Sequence, residues 1–176
     1  MDKKQKALFL DRDGVINIEK NYLYKIEDFE FVDGVFEALL YAQSLGYKIF
    51  IITNQSGINR GYYSDDDFHI LTNWMIDSFK EHHIDILDIQ YCPHTPDENC
   101  NCRKPKTGMI DNILTHYNID LEKSWLIGDK FSDIQCAKNA NIKNTIQVRS
   151  GHTFDKSEAD FIIDKLDKNS IVNIIK

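Results

Sequence analysis

Short, almost wholly apolar runs alternate with stretches of helical spacing along the 176 residues of this chain. The apolar runs fall at 7–10, 47–52, 86–91, 125–127, 145–148 and 161–163, and the helical stretches at 34–45, 65–81, 108–117, 132–140 and 166–175. A strand that is apolar at nearly every position must be buried on both faces. Alternation of such strands with helices therefore predicts an α/β protein with a doubly wound, mostly parallel sheet. The punctuation agrees. Gly46 is placed to stop the first helix, Ser64 and Thr107 to cap the second and third, and Asp65, Asp66 and Asp67 fill a favourable first turn. No linker or repeat interrupts the pattern, so one domain is expected over residues 1–176.

Ligands of such sheets bind beyond the carboxyl ends of the strands, and the unusual polar residues stand there. The first apolar run leads into Asp11-Arg12-Asp13-Gly14. Two acids at this spacing can share a divalent cation, leaving one carboxylate to attack phosphorus and the other to handle protons. The second run leads into Thr53-Asn54-Gln55-Ser56-Gly57, whose hydroxyl and backbone N–H groups can donate to phosphoryl oxygens. The fourth leads into Gly128-Asp129-Lys130, with Asp133 four residues after Asp129. Asp129 can complete a magnesium site, and Asp133 can equally serve as a helix-capping acid. Arg103-Lys104-Pro105 adds positive charge, and Pro105 keeps Lys104 out of a helix, free to neutralise a phosphoryl group. Each piece alone also reads as an ordinary strand end, polar turn or solvated pair. It is their joint placement at strand ends that points to chemistry.

Three of the four cysteines fall inside residues 92–102, in the pattern Cys92-x-His94-x5-Cys100-x-Cys102. Three thiolates and an imidazole close a tetrahedral zinc site with no position left for water, so zinc here is expected to be structural. The loop runs directly into Arg103 and Lys104, which it can pre-organise. Cys136, within a predicted helix, is expected to be a small buried residue.

In this order, Asp11–Gly14, Thr53, Lys104 and the Gly128-Asp129…Asp133 acids resemble the haloacid dehalogenase superfamily of phosphatases. The resemblance implies a Rossmann-like core of that type without a large cap domain. It implies Asp11 as nucleophile, Asp13 as general acid and base, and Thr53 and Lys104 stabilising the transferred phosphoryl group. Magnesium would sit between Asp11, Asp13 (through its backbone carbonyl) and Asp129. The zinc loop, the Asp11–Asn17 stretch and Ser56-Gly57-Ile58-Asn59-Arg60-Gly61 are similar to the heptose 1,7-bisphosphate 7-phosphatases from about residue 9 to 151. That likeness implies hydrolysis of the 7-phosphate through an aspartyl-phosphate, in the supply of nucleotide-activated heptose. Substrate contacts would come from Glu19, Lys20, Asn21, Tyr22, Asn54, Gln55, Ser56, Arg103 and Lys130. The short spacer between His94 and Cys100 is shared with the related histidinol-phosphatases, which keeps that substrate as the alternative.

The net charge of -7, with basic residues scattered rather than clustered in a track, argues against a nucleic-acid partner and so against a polynucleotide 3′-phosphatase. Intact Asp11, Asp13, Thr53, Lys104 and Asp129 argue against a non-catalytic zinc-stabilised binding module. The first apolar run is too short for a signal peptide, and no stretch approaches a membrane span. A monomeric cytoplasmic enzyme acting on a small phosphorylated sugar, with no membrane partner, is the expectation.

Overall fold

A computed structural model describes residues 3–150 and 156–176; Gly151, the last residue of the family-like stretch, lies outside them. Six strands form one sheet: β1 (Ala7–Leu10), β2 (Lys48–Asn54), β3 (Ile86–Cys92), β4 (Trp125–Gly128), β5 (Asn144–Val148) and β6 (Phe161–Ile163). Their order is β3-β2-β1-β4-β5-β6, and every pairing is parallel. Five helices connect and cover them: α1 (Val35–Ser44), α2 (Asp65–Glu81), α3 (Gly108–His116), α4 (Phe131–Asn139) and α5 (Lys168–Ile171).

The apolar strands divide between two cores because successive side chains point to opposite faces. Leu8 and Leu10 of β1, Ile49 and Ile51 of β2, and Trp125 and Ile127 of β4 join one cluster with α1 and with Leu71, Met75 and Phe79 of α2. The intervening Ala7, Phe9, Phe50, Ile52 and Leu126 join the other, against Met109, Ile110 and Ile113 of α3 and Cys136 and Ala137 of α4. Each fully buried Leu, Ile or Phe contributes about 1.5–3 kcal/mol relative to exposure, so both faces are held strongly. Ser64 caps α2 as its sequence predicts, its Oγ accepting from Asp67 N at 3.1 Å while Asp67 Oδ2 accepts from Ser64 N at 2.8 Å. Thr107 does not cap α3 in this way; its hydroxyl donates instead to Asp111 at 2.7 Å. Cys136 is buried, as expected.

Chain order sets the position of the site. From β1 the chain builds outward to β2 and β3, then returns beside β1 and builds the other way through β4, β5 and β6. Leu10 pairs with Ile51 on one side and Ile127 on the other, so Asp11, Thr53 and Asp129 come together at the carboxyl ends of β1, β2 and β4, where the order reverses.

Candidate active site

A cavity of about 570 Å³ opens over the carboxyl ends of β1, β2 and β4. Asp11, Asp13, Glu19, Asn21, Tyr22, Asn54, Gln55, Ser56, Arg103, Lys104 and Lys130, all anticipated from the sequence, line it. Thr53 and Asp129 are buried just behind. Lys20 is not among the lining residues: its ammonium bonds Asp28 O at 2.8 Å and pairs with Glu30 at 3.3 Å.

Lys104 is the electrostatic hub. Its side chain is 2% exposed, and Nζ donates to Asp11 Oδ1 at 2.9 Å and Ile52 O at 2.8 Å while pairing with Asp133 Oδ1 at 2.6 Å. Burial opposes its charge, but Asp11 and Asp133 more than compensate and hold its pKa above the ordinary lysine value. The amide of Asn54 anchors the same residue from β2, accepting from Lys104 N at 3.1 Å and donating to Lys104 O at 3.3 Å. The Lys104–Pro105 peptide bond is cis.

Asp11, Asp129 and Asp133 bring carboxylate oxygens within 4.8 Å of one another. Burial first, then the Lys104 charge pulling the other way and the neighbouring acids pushing up, leave the Asp11 pKa raised to about 6. Burial, with Asp11 and Asp133 close by, raises Asp129 to about 8. Asp129 Oδ2 accepts from Ser150 Oγ at 3.2 Å, whereas its buried Oδ1 has no hydrogen-bond partner among the described residues. Crowded carboxylates and an unsatisfied oxygen fit a divalent cation, which would satisfy the one and relieve the other. Gly14 keeps the space open: a Cβ there would stand 2.5 Å from Asp129 Oδ2, and its φ of +84° is one that side chains rarely adopt.

The carboxylate of Asp13 stands apart from this trio. Arg12, itself 1% exposed, donates to both its oxygens through Nη2 at 2.8 and 2.9 Å, Asn17 Nδ2 donates to Oδ1 at 3.1 Å, and Gln55 Nε2 to Oδ2 at 3.0 Å. Burial alone would raise the Asp13 pKa. The Arg12 charge and these donors override it and hold the carboxyl below its usual value.

Cys92, His94, Cys100 and Cys102 offer four donor atoms within 4.8 Å of one another, an arrangement compatible with zinc. Their loop is tied to the cavity wall, with Gln55 N donating to Cys92 O at 2.7 Å, Asn59 N to Pro93 O at 3.3 Å and Arg103 Nη1 to His94 O at 3.2 Å.

Residues 101–168 match the HAD-hydrolase-like family. A D-glycero-alpha-D-manno-heptose-1,7-bisphosphate 7-phosphatase from Campylobacter jejuni is 47% identical over 98% of this chain and 97% of its own. The chain belongs to the heptose-1,7-bisphosphate 7-phosphatase family. A member from Helicobacter pylori, named for the beta anomer, is 54% identical over 80% of this chain and 82% of its own. Family members of both anomeric names thus resemble it. The D,D-heptose 1,7-bisphosphate phosphatase of B. bronchiseptica, solved with magnesium and phosphate, superposes with a TM-score of 0.81 at 25% identity, covering 96% of each chain.

Several residues of the site carry no clear signal in the sequence. Tyr63, Pro96 and Ser132 also line the cavity, as does Arg60 of the Ser56–Gly61 stretch, and Arg12 supports Asp13 from beneath. Asp133 is visible as a helix-capping acid, and it does cap: Oδ2 accepts from Lys130 N at 3.0 Å. Its other oxygen bonds Lys104, so one side chain fills both roles. Gly128 permits this approach, since a Cβ there would lie 2.2 Å from Asp133 Cβ.

Proposed function

We propose that this protein is a magnesium-dependent phosphatase that removes the 7-phosphate of D-glycero-D-manno-heptose 1,7-bisphosphate, leaving heptose 1-phosphate for nucleotide activation. Its 176 residues would form one catalytic domain, acting as a cytoplasmic monomer without nucleic-acid or membrane partners. Identity of 47% across 98% of the chain to a phosphatase of that name carries the reading. Among the described residues no helix is long and apolar enough to cross a membrane.

In this reading Asp11, in contact with Lys104, attacks phosphorus. The bond from phosphorus to the sugar oxygen breaks, Asp11 becomes an aspartyl-phosphate, and the leaving oxygen takes a proton from Asp13. Arrival of a dianionic phosphoryl group beside Asp13 supplies the like charge that favours its protonated form. Water then gives a proton to Asp13 and attacks the aspartyl-phosphate, releasing hydrogen phosphate and restoring the Asp11 carboxylate and the protonated Asp13. Lys104 Nζ and Thr53 Oγ1 donate to phosphoryl oxygens through both steps. Asp11, Asp129 and the backbone carbonyl of Asp13, with Asp133 beside them, would hold magnesium, which would neutralise phosphoryl charge. Zinc at Cys92, His94, Cys100 and Cys102 fixes the loop before Arg103.

The substrate follows from charge. A bisphosphate brings a second dianion that does not react, and Arg103 and Lys130 are cations beyond what the transferred group needs. Arg103 can hold a phosphate or sugar hydroxyls bidentately. Histidinol phosphate would bring a cationic amine toward the same arginine.

Asp11→Asn tests the mechanism. An amide cannot form the acyl phosphate, so turnover should vanish, by about 10⁴-fold or more, while circular dichroism and zinc content stay as in wild type. Near-normal turnover by the purified variant would sink it.

A further inference from the structure

Tyr63 belongs to none of the motifs, yet it ends a hydrogen-bonded line that runs beneath the cavity. Its hydroxyl donates to Gln55 Oε1, and Gln55 Nε2 donates to Asp13 Oδ2 at 3.0 Å and Thr53 Oγ1 at 2.8 Å. Tyr63 is 6% exposed and Gln55 3%.

Chemistry fixes the direction of this line. An ionised carboxylate only accepts, so the end of the amide that meets Asp13 must be its NH2. The amide oxygen then faces Tyr63, whose hydroxyl must donate. The same NH2 occupies a lone pair of Thr53 Oγ1, leaving that hydroxyl its hydrogen to donate elsewhere. Rotated by half a turn, the amide would set its oxygen against the Asp13 carboxylate and lose that bond, while the Thr53 and Tyr63 hydroxyls would have to reverse their roles. Among the described residues, the hydrogen bond to the oxygen end of Gln55 comes from Tyr63.

The ring is placed for this task. It stacks on Tyr24 with centroids 5.3 Å apart and planes 11° from parallel. On another side it fills the space beside Gly57, where a Cβ would lie 2.2 Å from Tyr63 Cε1. The glycine of Ser56-Gly57-Ile58 therefore makes room for the tyrosine.

We infer that Tyr63 is a positioning residue: acting through the Gln55 amide, its hydroxyl holds Asp13 in line with the leaving oxygen of the substrate. The inference rests on Asp13 being the proton donor, as proposed above.

The test compares kcat/KM for heptose 1,7-bisphosphate and p-nitrophenyl phosphate in magnesium-loaded wild type, Tyr63→Phe and Asp13→Asn. This ratio ends at phosphoryl transfer, before Asp13 acts as a base. A sugar alkoxide needs a proton to leave; p-nitrophenolate does not. Both substrates are measured on one preparation, so the ratio of their constants is independent of the fraction folded. We expect Tyr63→Phe to fall about tenfold on the sugar phosphate and less than about twofold on the aryl phosphate, as for one misaligned hydrogen-bonded group. Asp13→Asn should show the same selectivity more strongly. If Asp13→Asn discriminates and Tyr63→Phe lowers both substrates equally or neither, the role of Tyr63 is overturned. If Asp13→Asn does not discriminate, the assignment of Asp13 as proton donor fails, and the inference with it.

Discussion

At the scale of single residues, the site buries crowded carboxylates whose ionised form a cation can stabilise. Asp11 and Asp129 have pKa values raised to about 6 and about 8 from an ordinary 3.8. In the metal-free protein, folded chains therefore hold protons that unfolded chains have lost, between about pH 4 and pH 8. By linkage, stability falls as pH rises through that window. Magnesium bound at the ionised carboxylates would offset the cost of their burial and their repulsion, so its stabilising effect should grow across the same range. The rise in Tm on adding saturating magnesium should be larger at pH 8 than at pH 6; calorimetry showing an equal rise at both would contradict this. Asp11, Thr53, Lys104 and Asp129 were legible from sequence because each follows a buried strand or precedes a proline. Arg12 and Tyr63 were not, since their contacts depend on the fold: Arg12 turns back on its neighbour Asp13 while Nη2 also donates to Leu23 O at 3.0 Å, and Tyr63 reaches Asp13 through Gln55. Asp133 was half legible, because a spacing pattern reads the cap made by one oxygen and not the ion pair made by the other.

At the scale of elements, the cysteine loop and the segment from Gln55 to Gly61 form one wall. Asn59 Nδ2 donates to Glu98 Oε1 at 2.7 Å, and Gly108 N donates to Asn101 O at 3.0 Å, joining the loop to the start of α3. Burial raises the Cys92 and Cys102 thiols, whereas at Cys100 burial is overridden by hydrogen bonds from the Arg103 backbone and the neighbouring cysteines, so two of the three thiolates that zinc requires form against their surroundings. Cys100→Ser should lose zinc, lower Tm by about 10 °C, as for loss of a few kcal/mol in a chain of this length, and reduce activity as Arg103 and Lys104 loosen. Elemental analysis finding no zinc in freshly purified, unchelated wild type would overturn the account of this loop. Element boundaries were legible wherever a cap or glycine marks them, as at Ser64 and Gly46. The last helix was not: predicted over 166–175, it is the single turn of α5. Asp167 caps it, its Oδ1 accepting from Ser170 N at 2.8 Å, and the β-branched Ile171, Val172, Ile174 and Ile175 around Asn173 carry it no further. The tail is anchored instead through Tyr41, whose hydroxyl donates to Ile175 O at 3.0 Å.

At the scale of the whole molecule, the double-sided apolar strands made a parallel sheet with two cores legible before any coordinate. The order of strands was not, because apolar pattern says which faces are buried and not which strand lies beside which. That order matters most for function, since it sets the reversal between β1 and β4 where Asp11 and Asp129 meet. The resulting cavity sets Arg103 and Lys130 around Asp11, the carboxylate proposed to react, a charge pattern suited to a sugar with two phosphates. The most direct measurement follows both phosphates by phosphorus NMR while purified, magnesium-loaded protein acts on each anomer of heptose 1,7-bisphosphate, with kcat/KM for histidinol phosphate measured alongside. The account predicts release of the 7-phosphate with the 1-phosphate retained. It also predicts a preference over histidinol phosphate of about 100-fold, on the scale of one or two charged hydrogen bonds to the second phosphate. Preferential hydrolysis of histidinol phosphate, or release of the 1-phosphate, would contradict it.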